Sequence, residues 1–167
     1  GAIEHWSSLY LIEAVKITQQ NLAGIGFIVF SVMMTIGRFF GDSISAKIGS
    51  IKIILLGCTF AIIGYCGILT GQFIITILGY GVLGLGLSVI IPELFRIAGT
   101  AKGIRPSIGI SMVSGVGFVG FLLGPVILGY ISYIYHLKIS FFILFLLTFL
   151  ALFIANRLLR KEKRAEF

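Results

Sequence analysis

The chain of 167 residues is 58% hydrophobic and only 11% charged, with a mean hydropathy of +1.12. A soluble domain carries about 25% charged residues, so a water-solvated globule is excluded and lipid is the solvent to reason with. The formal charge of +7 is scattered between apolar runs and builds no continuous basic face, which argues against nucleic acid as a partner.

Charged clusters divide the chain into five runs long enough for a bilayer, which takes about 20 apolar residues. They are roughly 21–43, 51–70, 73–95, 106–133 and 139–156. Each run is continuous rather than alternating, so helices are expected and a β-barrel is not. Residues 1–15 form a sixth, truncated candidate: as a helix they reach only about 22 Å, short of the roughly 30 Å hydrocarbon core. The stretch lacks an initiator Met, and we read it as the middle of a helix in a longer protein. The expected fold is therefore an all-α membrane protein with five full transmembrane helices and one truncated helix.

The first stretch carries Glu4, His5 and Trp6 in succession, about ten residues before Lys16. That spacing puts two ionisable groups well inside the bilayer, where such groups face a bundle interior or a water cavity. One reading is a proton-relay or solute-contact pair; the other is plain pairing with a polar group on a neighbouring helix. Trp6 and Tyr10 share a helix face at i and i+4, which suits either the lining of a solute path or ordinary packing.

The next two runs meet in Ser31–Lys52. Here an apolar helix reaches Gly37 and Arg38, Gly41-Asp42 is expected to break it, and Lys47, Gly49 and Lys52 complete a basic turn. Two motifs begin alike: Ala23-Gly-Ile-Gly-Phe-Ile-Val-Phe30 and Ser114-Gly-Val-Gly-Phe-Val-Gly-Phe121. Similar helices of opposite direction in two runs of three are the mark of an inverted repeat, although Gly and Phe are abundant enough here for chance similarity. Cys58 and Cys66, eight residues apart on one expected helix, stand about 12 Å apart, beyond disulfide reach.

Further along, Pro92 and Pro125 each remove a helical hydrogen bond and are expected to kink their spans. Glu93 can reach Arg96 at i+3, as a gate-side or a plain interfacial ion pair. Glycine-rich Gly79–Gly86 and Gly117–Gly124, the latter with Gly120 and Gly124 as G-x-x-x-G, are expected to mark close helix packing or a pivot. Residues 139–156 hold no ionisable group after Lys138 and are expected to form a peripheral, lipid-facing helix. Residues 157–167 form a basic tail suited to anionic headgroups.

Basic residues set the topology. Eleven of the 13 Lys and Arg residues lie in two alternate loops and the tail, and only Lys16 and Lys138 lie on the other side. By the positive-inside rule both loops and the C-terminus are cytoplasmic. No H-E-x-x-H, P-loop or metal-spaced Cys/His cluster appears, so neither an enzyme, nor a metal site, nor a cofactor is expected.

Three stretches carry a family resemblance. They are Gly37-Arg38-Phe-Phe-Gly41-Asp42 with Ala46-Lys47-Ile-Gly49 and Lys52; Pro92-Glu-Leu-Phe95 with Ile97-Ala-Gly99; and Gly120-Phe-Leu-Leu-Gly124-Pro125. Together they resemble the second half of a major facilitator superfamily transporter, from part-way through the seventh helix to the end of the twelfth. Glu4-His5-Trp6-Ser7 is similar to a bacterial branch of sugar-permease-like and uncharacterised inner-membrane members. The signature loop departs from the family pattern at Ala46, where an acidic residue is usual, and Asp42 four residues earlier is the candidate replacement.

The resemblance implies secondary transport of a small organic solute by alternating access, coupled to protons. The partners it implies are the solute, protons, the lipid bilayer and a missing N-terminal half. Solute and proton contact would fall to Glu4, His5, Trp6, Tyr10, Phe27 and Ser88. The conformational loop and gate would fall to Gly37, Arg38, Gly41, Asp42, Lys47, Gly49, Pro92, Glu93, Arg96, Gly120, Gly124 and Pro125. The alternative is a stand-alone half or scaffold that works by pairing with another membrane chain.

Overall fold

A computed structural model describes residues 2–16 and 24–165, with the side chains of residues 2, 4, 5, 159 and 161–165 outside the described set. Every element in it is helical: α1 (Ala2–Glu13), α2 (Ile25–Ile48), α3 (Ser50–Leu69), α4 (Phe73–Ser88), α5 (Ile90–Gly99), α6 (Pro106–Ile134) and α7 (Leu137–Ala165). Five helical segments are long and apolar enough to cross a membrane, with α4 and α5 forming one of them. The protein is thus an all-α, multi-pass membrane protein.

The first boundary departs from expectation. Gly41-Asp42 does not break α2, which runs on to Ile48 and stops only at Gly49, whose φ of +89° suits glycine. Gly41 serves packing instead: a Cβ there would lie 2.7 Å from Val89 Cγ1. With 24 residues, α2 is about 36 Å long and outreaches the roughly 30 Å core. Arg38, Asp42 and Lys47 therefore ride on a helix rather than in a loop. Residues 21–23 of the expected span lie outside the described residues.

The two prolines behave differently. Val89 keeps a near-helical backbone (φ −93°, ψ −18°) where α4 passes into α5, and Pro92 falls in the first turn of α5, where a missing N–H is harmless. Pro125, by contrast, sits inside an unbroken α6.

The centre of the bundle is α4, which packs closely on both α3 and α2. In lipid such contacts rest on close packing rather than on the hydrophobic effect. Between α3 and α4 two glycine pairs bring the backbones together. A Cβ on Gly57 would lie 2.6 Å from the Gly86 carbonyl oxygen, and one on Gly64 would lie 2.8 Å from that of Gly79. This bears out the packing expected of Gly79–Gly86.

Gly117–Gly124 makes no such contact among the described residues. Nothing among the described residues lies within 4 Å of a Cβ built on Gly115, Gly117, Gly120 or Gly124. The reason is that α6 is held near its ends. Gly109 abuts the Ala98 carbonyl of α5, and Gly129 faces the Trp6 ring of α1. Ser140 Oγ of α7 donates to the Leu128 carbonyl at 2.9 Å. Its middle borders an apolar cavity of about 660 Å³ shared with α5.

Nor is α7 wholly lipid-facing. Leu137, Ser140, Phe141 and Ala155 are buried, and the Phe141 ring lies 4.6 Å from that of Tyr10 and 6.3 Å from that of Tyr80. Its helix also continues to Ala165, so most of the basic tail is helical.

Candidate functional site

At the end of the bundle where the basic residues gather, one guanidinium joins two helices. Asp42 and Ser45 sit three residues apart on one face of α2; Glu93 and Arg96 sit three apart on α5. Arg96 donates to Ser45 Oγ at 2.9 Å, and stands 3.6 Å from Glu93 Oε1 and 3.8 Å from Asp42 Oδ1. Burial within the cluster is uneven: the Glu93 side chain is 2% exposed, that of Arg96 42% and that of Asp42 76%.

The uneven burial decides the energetics. The open Asp42–Arg96 pair contributes about 0–1 kcal/mol. Glu93 depends much more on Arg96, because an abandoned buried charge costs about 3–5 kcal/mol. Its place in the first turn of α5 also sets it against the positive end of that helix. Its second oxygen, Oε2, is buried and has no hydrogen-bond partner among the described residues. The arrangement can clasp α2 to α5 through a group that is itself half open to water.

Other gate residues sit around the clasp. Gly37 and Gly41 face the break between α4 and α5. A Cβ on Gly37 would collide with Ser88 Oγ, and Gly41 faces Val89. Arg38, Lys47 and Pro92 are exposed. Gly120, Gly124 and Pro125 are on α6, away from the clasp. Ser45 was missed by sequence reasoning; the available signal was its i+3 spacing from Asp42.

The residues expected to meet solute do not form one open surface. The Glu4 and His5 side chains lie outside the described set. Trp6 is half-buried with its Nε1 lacking a partner among the described residues, and Phe27 is exposed. Tyr10 and Ser88 are fully buried and bonded to backbone: Tyr10 O–H donates to the Ile68 carbonyl at 2.8 Å and Ser88 O–H to that of Leu85 at 2.6 Å. Two polar groups that sequence reasoning did not single out, Ser7 Oγ and Tyr80 O–H, are buried without partners among the described residues.

Comparison with known proteins gives the setting. The chain is 33% identical over 133 residues, 79% of its length, to membrane protein MosC of Rhizobium meliloti, of which it covers 32%. It is 30% identical over 142 residues, 84% of its length, to an uncharacterised MFS-type transporter of Yersinia pestis, of which it covers 37%. An uncharacterised transporter of Sinorhizobium fredii is 25% identical over 144 residues, 86% of this chain and 38% of the relative. No family model and no solved structure matches the chain. The chain spans about a third of the length of the curated relatives it matches. Over most of its own length it is therefore similar to bacterial membrane proteins, two of which bear the name of transporter.

Proposed function

We propose that the chain is the C-terminal six-helix half of a major facilitator superfamily transporter. It moves a small organic solute by alternating access, coupled to protons. The observation that carries this reading is the Arg96 clasp, which ties α2 to α5 at one end of the bundle. The names of the relatives support it. Across the two helices the clasp is only the exposed Asp42–Arg96 pair and the Ser45 hydrogen bond, so it can open while Arg96 stays with Glu93 on α5, as a gate that opens on each cycle requires. The second wall of the solute path belongs to an N-terminal half, with the clasp on the cytoplasmic side of the inner membrane. Glu4 or His5 carries the proton, because ionisable groups at membrane depth mark such pathways.

The test uses the whole gene product in proteoliposomes with an entrapped pH dye, challenged with a panel of small organic solutes. A solute that moves should change the internal pH, and E4Q or H5A should uncouple the two. Solute movement with no pH change in the wild-type protein would refute proton coupling. Equal coupling in both variants would remove these two residues from the path.

A further inference from the structure

The hydrogen-bond ladder is weakest where α4 passes into α5. In a continuous helix the Leu85 carbonyl accepts from the Val89 N–H, and the Ser88 carbonyl from the N–H of residue 92. Here the Ser88 hydroxyl donates to the Leu85 carbonyl at 2.6 Å, while the Val89 N–H turns to the Leu87 carbonyl. Residue 92 is a proline and has no N–H to give. Two rungs are thus lost within one turn, and helices bend at such places.

Val89 itself is seated between two other helices. A Cβ on Gly41 of α2 would lie 2.7 Å from Val89 Cγ1, and one on Gly57 of α3 would lie 2.9 Å from Val89 Cγ2. Each methyl rests in the hollow of a glycine, which fixes the point and leaves no side chain to obstruct a turn about it. Beyond this point the packing thins. Half the residues of α4 are buried, but only Glu93 and Ala98 among those of α5. Apolar cavities flank α5, one of about 660 Å³ against α6 and one of about 500 Å³ against α3 and α7. Glu93 and Arg96 occupy the clasp side of α5. Ile91, Leu94 and Phe95 border the larger cavity, on a face centred about 180° round. The clasp and the larger free space therefore lie on opposite sides of one short helix.

We propose that Val89 is a pivot and α5 a swinging arm: when the clasp opens, α5 tilts away from α2 towards the free space beside α6. Its far end is tied to α6, where Gly109 abuts the Ala98 carbonyl, so the first turn of α6 moves with it. Arg96 lies about 10 Å beyond Val89 at 1.5 Å per residue. A tilt of about 20°, the lower bound of a sharp kink, carries it about 4 Å. That takes Arg96 out of reach of Ser45 and Asp42, while Glu93 travels on the same arm and keeps it. The use of this arm as a gate rests on the transport reading; the joint itself does not.

The experiment is double electron–electron resonance on the whole gene product in lipid nanodiscs, with the native cysteines replaced. One pair of spin labels, A46C and T100C, spans the clasp at two exposed positions. A second pair, I28C and L78C, also exposed, lies on the α4 side of the joint. Removing the links to α2 with D42A/S45A should add a population about 5 Å longer to the first pair and leave the second unchanged. P92A, which supplies the N–H that the Ser88 carbonyl lacks, should remove that population. Absence of the longer distance in D42A/S45A, its persistence in D42A/S45A/P92A, or equal lengthening of the second pair would overturn the joint. Asp42 and Pro92 are exposed and S45A removes only a hydroxyl, so these variants keep the fold. The distances are read without solute or pH gradient. A failed transport assay therefore leaves the joint standing, and a rigid α5 leaves the transport reading standing.

Discussion

Gly86→Ala tests what holds the centre of this bundle together. A Cβ at Gly86 would lie 2.5 Å from the Gly57 carbonyl oxygen, 2.6 Å from the Ala61 nitrogen and 3.0 Å from Phe60 Cβ. Carbon and carbonyl oxygen ordinarily approach to about 3.3–3.6 Å, so α3 and α4 must part by roughly 1 Å. A gap of that size forfeits a quarter to a half of each facing contact, and overpacking of this kind costs about 1–3 kcal/mol. Alanine recovers at most about 1 kcal/mol of helix propensity, leaving a net loss of up to about 2 kcal/mol. Gly57→Ala strikes the same crossing from the other side. Once one methyl has parted the helices the second meets less resistance, so the double variant should lose less than the sum. Gly115→Ala, with no described atom within 4 Å, is the comparison and should cost nothing. Equilibrium unfolding in detergent micelles, followed by far-ultraviolet circular dichroism, reads all four proteins. A Gly86→Ala variant no less stable than Gly115→Ala, which shares the propensity gain without the clash, would refute close glycine packing as the basis of the α3–α4 interface.

Two further outcomes follow from the buried polar groups. Arg96→Ala should destabilise the chain by about 3 kcal/mol or more by stranding Glu93, and Arg96→Ala/Glu93→Gln should regain most of that; the same unfolding assay measures both, and an unrescued double variant would show that Glu93 does not depend on Arg96. Tyr10→Phe should cost about 0.5–1.5 kcal/mol through its lost bond to the Ile68 carbonyl. Tyr80→Phe, in the same core, removes a hydroxyl with no partner among the described residues and should be neutral or stabilising; the reverse order would contradict the hydrogen-bond assignment.

How much of this was legible in the sequence varied with the kind of signal. The spans were readable because lipid leaves the backbone few options: each long apolar run had to be a helix, and the expected 51–70 and 106–133 differ from Ser50–Leu69 and Pro106–Ile134 by no more than one residue at any end. Ends set by glycine were harder. Gly41 and Gly49 look alike in sequence, yet Gly49 takes a positive φ and stops α2, while Gly41 admits Val89 and lets the helix continue. Which role a glycine plays is decided by the neighbour across the interface, and that neighbour is 48 residues away in the chain. The matched motifs beginning at Ala23 and Ser114 show the same limit. Gly26 is pressed against the Tyr80 ring and Phe30 is buried, whereas Gly117 meets no described residue within 4 Å and Phe121 is exposed.

The candidate site was half legible for a related reason. Glu93 and Arg96 could be paired from their spacing alone, since i and i+3 share a helix face. Their link to α2 could not, because it needs Asp42 on a continuous helix, and the sequence suggested a break there. Once α2 is seen to run through Gly41-Asp42, the register follows. Residues 42 and 45 share one face, while Ala46 lies about 100° further round, exposed and carrying no charge. The acid one turn earlier, Asp42, reaches Arg96, with Ser45 making the shortest contact to it. The clasp therefore ties α2 to α5 with no part played by Ala46.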